Sequence, residues 1–160
     1  MFEIVAFSTE QIELIFHFFS AFARFEYALK CAGRLESNEG EAKADWKGFA
    51  LANNAAFLAA FPEIREACNY FEWRPPQILV CKDGSLRWID EPFRLAQCPL
   101  LRLLLAIGRV RSNLFHGGKF ITQVTVDPTR DPIVLVHALT ILEACAHFDP
   151  EVERRLELED

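Results

Sequence analysis

Apolar residues recur at three- and four-residue spacing over long segments of this chain, and this periodicity constrains the fold more than any other feature of the sequence. The first such segment begins at Ser8 or Thr9, whose hydroxyl can cap a helix, and ends at Gly33. The spacing predicts a long amphipathic helix with one buried face. Its apolar residues are Ile12, Ile15, Phe16, Phe19, Phe22, Ala23, Tyr27 and Cys31.

Two further helices are predicted after a polar connection at residues 36–43. Asp45 caps a short helix that extends towards Phe61. Pro62 then begins another helix, because proline is tolerated in the first turn of a helix and disfavoured in its interior. The residues Arg74-Pro75-Pro76 end that helix.

Residues 77–89 predict a β-hairpin, because two β-type runs flank an Asp83-Gly84 pair. A strongly apolar helix is expected over residues 99–115, with Gly117-Gly118 stopping it. Residues 120–126 alternate in a way that fits a short strand, and an extended loop fits them equally well.

The last long helix is expected to begin at Asp131-Pro132 and to end at Asp149-Pro150, before an acidic tail at residues 150–160. With 160 residues, the chain is long enough to bury a core of its own. The expected fold class is therefore mainly α. A single domain over residues 1–160 would form an antiparallel helical bundle with a small β-hairpin insertion at residues 77–89.

The net charge of −6 limits the ways in which the chain can bind nucleic acid. A protein that coats nucleic acid without sequence preference needs a broad cationic face that displaces counterions from the phosphates. The composition instead favours a selected substrate, a local phosphate contact or a docking partner. The 15 phenylalanines supply a large apolar core, and any surplus suits a self-association surface.

The five cysteines lie singly, without a CxxC pair, which is typical of reduced thiols in a cytoplasmic protein. The first residues lack the basic start of a signal peptide. Charged residues interrupt the apolar stretch at residues 12–32, so no membrane span is expected there. The histidines are not grouped with cysteines or acids at metal-ligand spacing, and neither a metal nor a cofactor is expected.

The end of the apolar helix at residues 99–115 carries the side chains with chemical capacity. On an ideal helix Arg109, Asn113 and His116 lie within an arc of about 60°, and Ser112 lies about 40° beyond His116. Arg111 lies about 140° from His116 on the same helix. Arg111 therefore joins the others only if the last turn unwinds or a second copy of the chain supplies the partner.

These residue types suit the cleavage of a phosphodiester. A guanidinium holds a phosphate through two hydrogen bonds and stabilises added negative charge. An imidazole titrating near neutral pH moves the proton of a ribose 2′-hydroxyl or protonates a leaving 5′ oxygen. The same residues also fit an ordinary helix end, because the helix dipole favours cations there and glycine is a common C-terminal cap.

The string from Val110 to Lys119 resembles the VRxNLFHGGK form seen in bacterial members of the HEPN superfamily, the higher eukaryote and prokaryote nucleotide-binding proteins. The signature of that family is an arginine followed, after four to six residues, by a histidine. Arg111 precedes His116 with four intervening residues, and Arg109 precedes it with six. The order of the long helices and the residues Phe25-Glu26-Tyr27-Ala28-Leu29-Lys30 are also similar.

The resemblance implies a HEPN-like helical bundle that forms a homodimer in which the two motif helices meet. It also implies a metal-independent endoribonuclease that leaves a 2′,3′-cyclic phosphate. Arg111 would bind the phosphate, His116 would act as acid or base, and Asn113 would supply a further polar contact in catalysis. The remaining polar residues of the cluster are candidates for substrate contact, namely Arg109, Ser112 and Lys119.

RNA is the substrate that the resemblance implies, and a role as a toxin or defence effector would bring an antitoxin protein as a partner. Some family members carry a tyrosine two residues after the histidine, which a partner enzyme adenylylates. Gly118 stands there in this chain, so that regulation is not expected. In many active members Asn, Asp or His follows the motif arginine, whereas this chain has Ser112.

Two other functions stay open on the sequence. The chain would be a noncatalytic HEPN module that binds nucleotide or RNA if the departure at Ser112 has removed catalysis. It would be a dimerising helical scaffold if the arginines and the histidine only cap helices.

Overall fold

The structure is a computed structural model that describes residues 8–91, 93, 95–115 and 130–157. Within these residues the chain is mainly helical, with one two-stranded antiparallel sheet, as the sequence predicts. The elements in chain order are α1 (Thr9–Cys31), α2 (Trp46–Trp73), β1 (Ile78–Lys82), β2 (Ser85–Ile89), α3 (Pro99–Phe115), α4 (Arg130–Ala146) and α5 (Pro150–Glu157).

Helix α1 begins with a capping box. The Ser8 hydroxyl accepts a hydrogen bond from the backbone N–H of Gln11 at 3.2 Å, and the Gln11 side chain accepts one from the backbone N–H of Ser8 at 3.0 Å. The helix ends at Cys31, and Gly33 follows with a positive φ of 73°. Both predicted ends of this helix are confirmed.

Helix α2 corrects one prediction. The sequence suggested two helices divided at Pro62, but a single helix runs from Trp46 to Trp73 with Pro62 inside it. Proline in a helix interior costs about 3 kcal/mol through its lost N–H and its steric clash. Phe57 before it and Ile64 after it are both buried in the core, and burying two large apolar side chains offsets a cost of this size.

The hairpin at β1 and β2 confirms its prediction. Lys82 pairs with Ser85 across a two-residue turn, in which Asp83 and Gly84 both have positive φ, 53° and 73°. A turn with positive φ at both central residues matches the right-handed twist of the strands, and glycine adopts that conformation without strain.

Aromatic rings pack α1 against α2 in the core. The rings of Phe22 and Phe25 stack on Trp46, with centroids 5.1 and 5.5 Å apart, and Phe25 also meets the ring of Phe49 edge-on. Apolar side chains of α3 and α4 complete the same core. The large side chains that are almost fully buried there are Leu100, Ile107, Leu135 and Ile141.

Asp149 joins the C-terminal part of the bundle to the turn after α1. Its carboxylate is buried and accepts hydrogen bonds from Nε and Nη2 of Arg34, at 3.0 and 2.7 Å. The other carboxylate oxygen accepts from the backbone N–H groups of Glu151 and Val152. Asp149 therefore caps α5, so the predicted break at Asp149-Pro150 is also the start of a helix.

Some predictions lie outside the described residues, namely the helix stop at Gly117-Gly118 and the strand or loop at residues 120–126. In the described part of the chain, no single helix is long and apolar enough to cross a membrane. Helices α4 and α5 pass that test of length and composition only as a pair, and the chain bends by 111° between them.

Candidate functional site

The last two turns of α3 carry four of the six candidate site residues. Arg109, Arg111, Ser112 and Asn113 are all partly buried there. The other two candidates, His116 and Lys119, lie outside the described residues. The geometry of the candidate site is thus built from the helix that immediately precedes His116.

Arg109 is held by the two ends of the hairpin. Its Nη1 donates to the backbone carbonyls of Glu91, at 2.7 Å, and Pro76, at 3.4 Å, so the guanidinium bridges the chain before β1 and after β2. The carboxylate of Glu91 lies 3.6 Å from Nη2. The guanidinium carbon also lies 4.0 Å from the centre of the Phe93 ring, which is within cation–π range.

Burial governs the electrostatics of Arg109. Its side chain is only 13% exposed, and desolvation lowers its pKa, while the nearby Glu91 carboxylate works in the opposite direction. Arginine nonetheless stays protonated in proteins, so a charged group occupies this position. A phosphate that took the Nη1 donor of this guanidinium would displace the hydrogen bonds that fix the hairpin.

Asn113 lies one turn further along the same face of α3 and also contacts the base of the hairpin. Its Nδ2 donates to the backbone carbonyl of Gln77 at 2.8 Å, directly before β1. Across the base of the hairpin, the Gln77 amide donates to the Asp90 carboxylate at 3.0 Å. The face shared by Arg109 and Asn113 therefore anchors the hairpin to the bundle.

Arg111 lies on a different side of α3. Two residues along an ideal helix correspond to a rotation of about 200°, which separates it from Arg109. Its guanidinium carbon lies 6.0 Å from the centre of the Phe22 ring on α1, at the outer limit of a cation–π contact. The two arginines that fit the spacing to His116 thus face different surroundings, the hairpin for Arg109 and α1 for Arg111.

A third arginine on α3 provides a comparison. Nη1 of Arg102 donates to the Glu72 carboxylate at 2.9 Å, which ties α3 to the end of α2. Arg102 and Arg109, seven residues apart, each have an acidic partner within the chain. Their charges are thus matched locally by Glu72 and Glu91.

Sequence reasoning missed the partners of Arg109. Glu91 and Phe93 belong to an irregular segment between β2 and α3, where neither periodicity nor a turn motif predicts contacts. The available signal was the hairpin itself, because a two-stranded hairpin needs an anchor elsewhere in the chain. A buried or bridging arginine on a neighbouring helix is a suitable anchor, since its five N–H donors can satisfy several carbonyls.

The chain matches no protein-family model, no curated protein and no solved structure. Within the described residues, no group of three or more His, Cys, Asp or Glu side chains is placed to hold a metal ion.

Proposed function

We propose that this protein is a metal-independent endoribonuclease of the HEPN type, which cleaves RNA to a 2′,3′-cyclic phosphate and a 5′-hydroxyl. One observation carries the proposal: the string from Val110 to Lys119 places Arg111 and His116 at the family spacing, at the end of the apolar helix α3. The four residues between Arg111 and His116 make Arg111 the arginine of the motif in this proposal.

The reaction follows from the chemistry of these groups. The ribose 2′ oxygen attacks the adjacent phosphorus, the bond from phosphorus to the 5′ oxygen breaks, and the 2′ proton leaves as the 5′ oxygen gains one. His116 acts as the base for the first proton or as the acid for the second. Arg111 binds the phosphate and stabilises the charge that develops on its oxygens.

The other candidate residues have supporting roles in this proposal. Ser112, which lies within the motif, and Lys119, which follows it, contact the substrate. The hydrogen bond from Asn113 to Gln77 supports a role in fixing the last turn of α3, and its carboxamide oxygen is the atom assigned to the catalytic contact. Arg109 keeps its contact with the hairpin and orients the helix from the other side.

The proposed active site forms in a homodimer. On an ideal helix, Arg111 and His116 point about 140° apart, so they converge if Arg111 of one chain faces His116 of the other. The net charge of −6 supports a selected RNA, or recruitment through a protein partner such as an antitoxin, over binding to any RNA. The proposed location is the cytoplasm.

RNA cleavage in the presence of EDTA tests this function. We expect the wild-type protein to cleave, with a 2′,3′-cyclic phosphate on the product identified by mass spectrometry. His116→Ala should slow cleavage by about 10²–10⁴-fold, as expected for the loss of a general acid or base. Arg111→Ala should slow it by about 10²–10³-fold, as expected for the loss of a charge-stabilising donor.

Arg102→Ala is the matched control, because it removes an arginine from the same helix whose partner is Glu72. It should leave the cleavage rate close to that of the wild type once the folded fraction is equal. Cleavage that survives His116→Ala, or that requires a divalent metal, contradicts the proposal.

A noncatalytic RNA- or nucleotide-binding module is the second candidate. The specific observation in its favour is Ser112, which stands where many active family members have Asn, Asp or His. RNA binding that Arg111→Ala weakens, without cleavage by the wild type, would establish this second function. A homodimer that binds neither RNA nor nucleotide would leave the chain as a helical scaffold.

A further inference from the structure

The hairpin formed by β1 and β2 stands apart from the helical core. Its strands pack mainly on each other, and the contacts that hold it are at its base, through Arg109 and Asn113. A two-stranded hairpin is marginally stable in water without further strands or a packing surface. Pairing with a further strand would therefore stabilise this hairpin.

One face of the hairpin is apolar and exposed. The register places Leu79 opposite Trp88 and Cys81 opposite Leu86, so these four side chains share a face. Leu86 is 68% exposed and Leu79 is 39% exposed, while Cys81 is also at the surface.

The outer edge of β1 carries backbone groups that β2 does not pair. Lys82 and Ser85 close the two-residue turn as a hydrogen-bonded pair, and such pairs alternate along an antiparallel ladder. The backbone N–H and C=O groups of Leu79 and Cys81 therefore point away from β2. Among the described residues, no strand pairs with this edge.

The two edges differ in how well they are protected. The sequence of β1, ILVCK, has a single charge, on Lys82 beside the turn. The sequence of β2, SLRWI, has Arg87 at its centre, where self-pairing would bring two guanidinium groups together. Charged residues within an edge strand are a common defence against pairing, and β1 lacks this defence along most of its length.

We propose that a second copy of this chain binds through β1, so that two hairpins form one antiparallel four-stranded sheet centred on Val80. In this register Leu79 lies opposite Cys81 of the partner subunit, and Lys82 lies opposite Ile78 of the partner subunit. No like charges face each other, and the backbone groups of Leu79 and Cys81 gain hydrogen bonds. The side chains of β1 also gain apolar neighbours on their second flank.

This pairing has a consequence for α3. Arg109 and Asn113 attach the base of each hairpin to the end of that helix. The four-stranded sheet therefore connects the C-terminal ends of two α3 helices through a short path. This contact is separate from the proposed meeting of the motif helices, and it does not depend on ribonuclease activity.

Cysteine cross-linking tests the register directly. Opposed residues in a hydrogen-bonded antiparallel pair have Cα atoms about 5.5 Å apart, a separation that a disulfide spans. In a full-length Cys31→Ser background, which leaves Cys81 as the one exposed native cysteine, we expect Leu79→Cys to form a covalent dimer with Cys81 of the partner subunit under mild oxidation. Ser85→Cys, on β2, is the matched control and should remain monomeric on a non-reducing gel.

Sedimentation equilibrium gives a second readout that needs no oxidation. Leu79→Lys places a charge on the paired strand and should weaken self-association about tenfold or more, whereas Leu86→Lys on the outer strand should have little effect. Equal cross-linking at positions 79 and 85 overturns the proposal. So does an assembly that Leu79→Lys leaves unchanged, or a wild-type chain that is monomeric at every concentration measured.

Discussion

Arg109 and Arg111 stand two positions apart on α3, yet their surroundings differ at the scale of single residues. Arg109 bridges two carbonyls, an acid and an aromatic ring around the base of the hairpin. Arg111 points towards Phe22 on α1. The sequence spacing to His116 fits both arginines, and the contacts of Arg109 show that it anchors the hairpin.

Arg109→Ala should lower the free energy of unfolding by about 2–3 kcal/mol, because it removes charge-assisted hydrogen bonds to backbone carbonyls that remain partly buried. Denaturant unfolding followed by circular dichroism measures this loss. Arg155→Ala, which removes an exposed ion pair with Glu151, is the control and should change stability much less. Identical midpoints for Arg109→Ala and the wild type would contradict the anchoring role.

The cysteines offer a test of burial at the same scale. Cys31 and Cys81 are exposed, whereas Cys68, Cys98 and Cys145 are buried. Burial raises the pKa of Cys68 from 9.0 to about 11 and also raises the pKa of Cys145. At pH 8 a thiol reagent should therefore modify two cysteines quickly in the native chain and all five after denaturation, since the thiolate is the reactive form.

The raised pKa of Cys68 also sets the sign of a pH effect. The pKa of Cys68 is higher in the folded chain than in the unfolded chain. Its contribution to the free energy of unfolding is therefore fully present below pH 9.0 and is lost as the pH rises towards about 11. Cys68→Ser should reduce the slope of the unfolding free energy in this alkaline window. In the thiol-reagent experiment, rapid modification of more than two cysteines of the native protein would contradict the burial of Cys68, Cys98 and Cys145.

At the scale of elements, the start of α2 depends on a glycine. The Asp45 carboxylate accepts a hydrogen bond from the backbone N–H of Gly48 at 2.7 Å, and a Cβ atom on Gly48 would overlap that carboxylate. Gly48→Ala should therefore cost about 1–2 kcal/mol through the loss of the cap, which exceeds the gain of about 0.4–1 kcal/mol that alanine brings to a helix, so the protein is destabilised. Thermal unfolding measures the change.

Gly108 in α3 is the matched control, because a Cβ atom there meets no heavy atom within 4 Å. Gly108→Ala should stabilise the protein by about 0.4–1 kcal/mol, since alanine restricts the unfolded chain and favours the helix. The two glycine-to-alanine substitutions are thus expected to change the free energy of unfolding in opposite directions. Equal shifts in the melting temperature would contradict this account of the α2 cap.

The start of α5 makes a further prediction for an element. Asp149→Ala should lower the free energy of unfolding by about 2–4 kcal/mol, because it removes both the cap of α5 and the partner of Arg34. Asp149→Asn keeps an oxygen for the cap and loses the charge, so it should have an intermediate effect. Chemical denaturation of the wild type and the two variants gives their order of stability. An Asn variant that is less stable than the Ala variant would contradict the expected order.

The sequence predicts local elements of this fold better than contacts between them. The start of α3 and the hairpin turn follow from proline, glycine and apolar spacing, all of which act within a few residues. The continuity of α2 through Pro62 does not follow from the sequence. The low helix propensity of proline is a local effect, and the burial of the surrounding side chains outweighs it. The anchoring of Arg109 by Glu91 and Phe93 joins segments that no local pattern connects.

At the scale of the whole molecule, α3 contributes to the core, to the hairpin anchor and to the proposed catalytic motif. Its apolar residues pack among the other helices, and Arg109 and Asn113 hold the hairpin from one side. Arg111 lies on a different side of α3, near Phe22 of α1. We propose that the polar end of α3 has two faces, a structural one with Arg109 and Asn113 and a chemical one with Arg111.

One paired measurement tests that division most directly: the unfolding midpoint and the RNA cleavage rate in EDTA, determined for Arg109→Ala and Arg111→Ala at a temperature where both are folded. We predict that Arg109→Ala lowers the midpoint and retains most of the cleavage rate. Arg111→Ala should lose about 10²–10³-fold in rate when its folded fraction equals that of the wild type. The opposite pattern, with cleavage lost in Arg109→Ala and preserved in Arg111→Ala, would contradict the account.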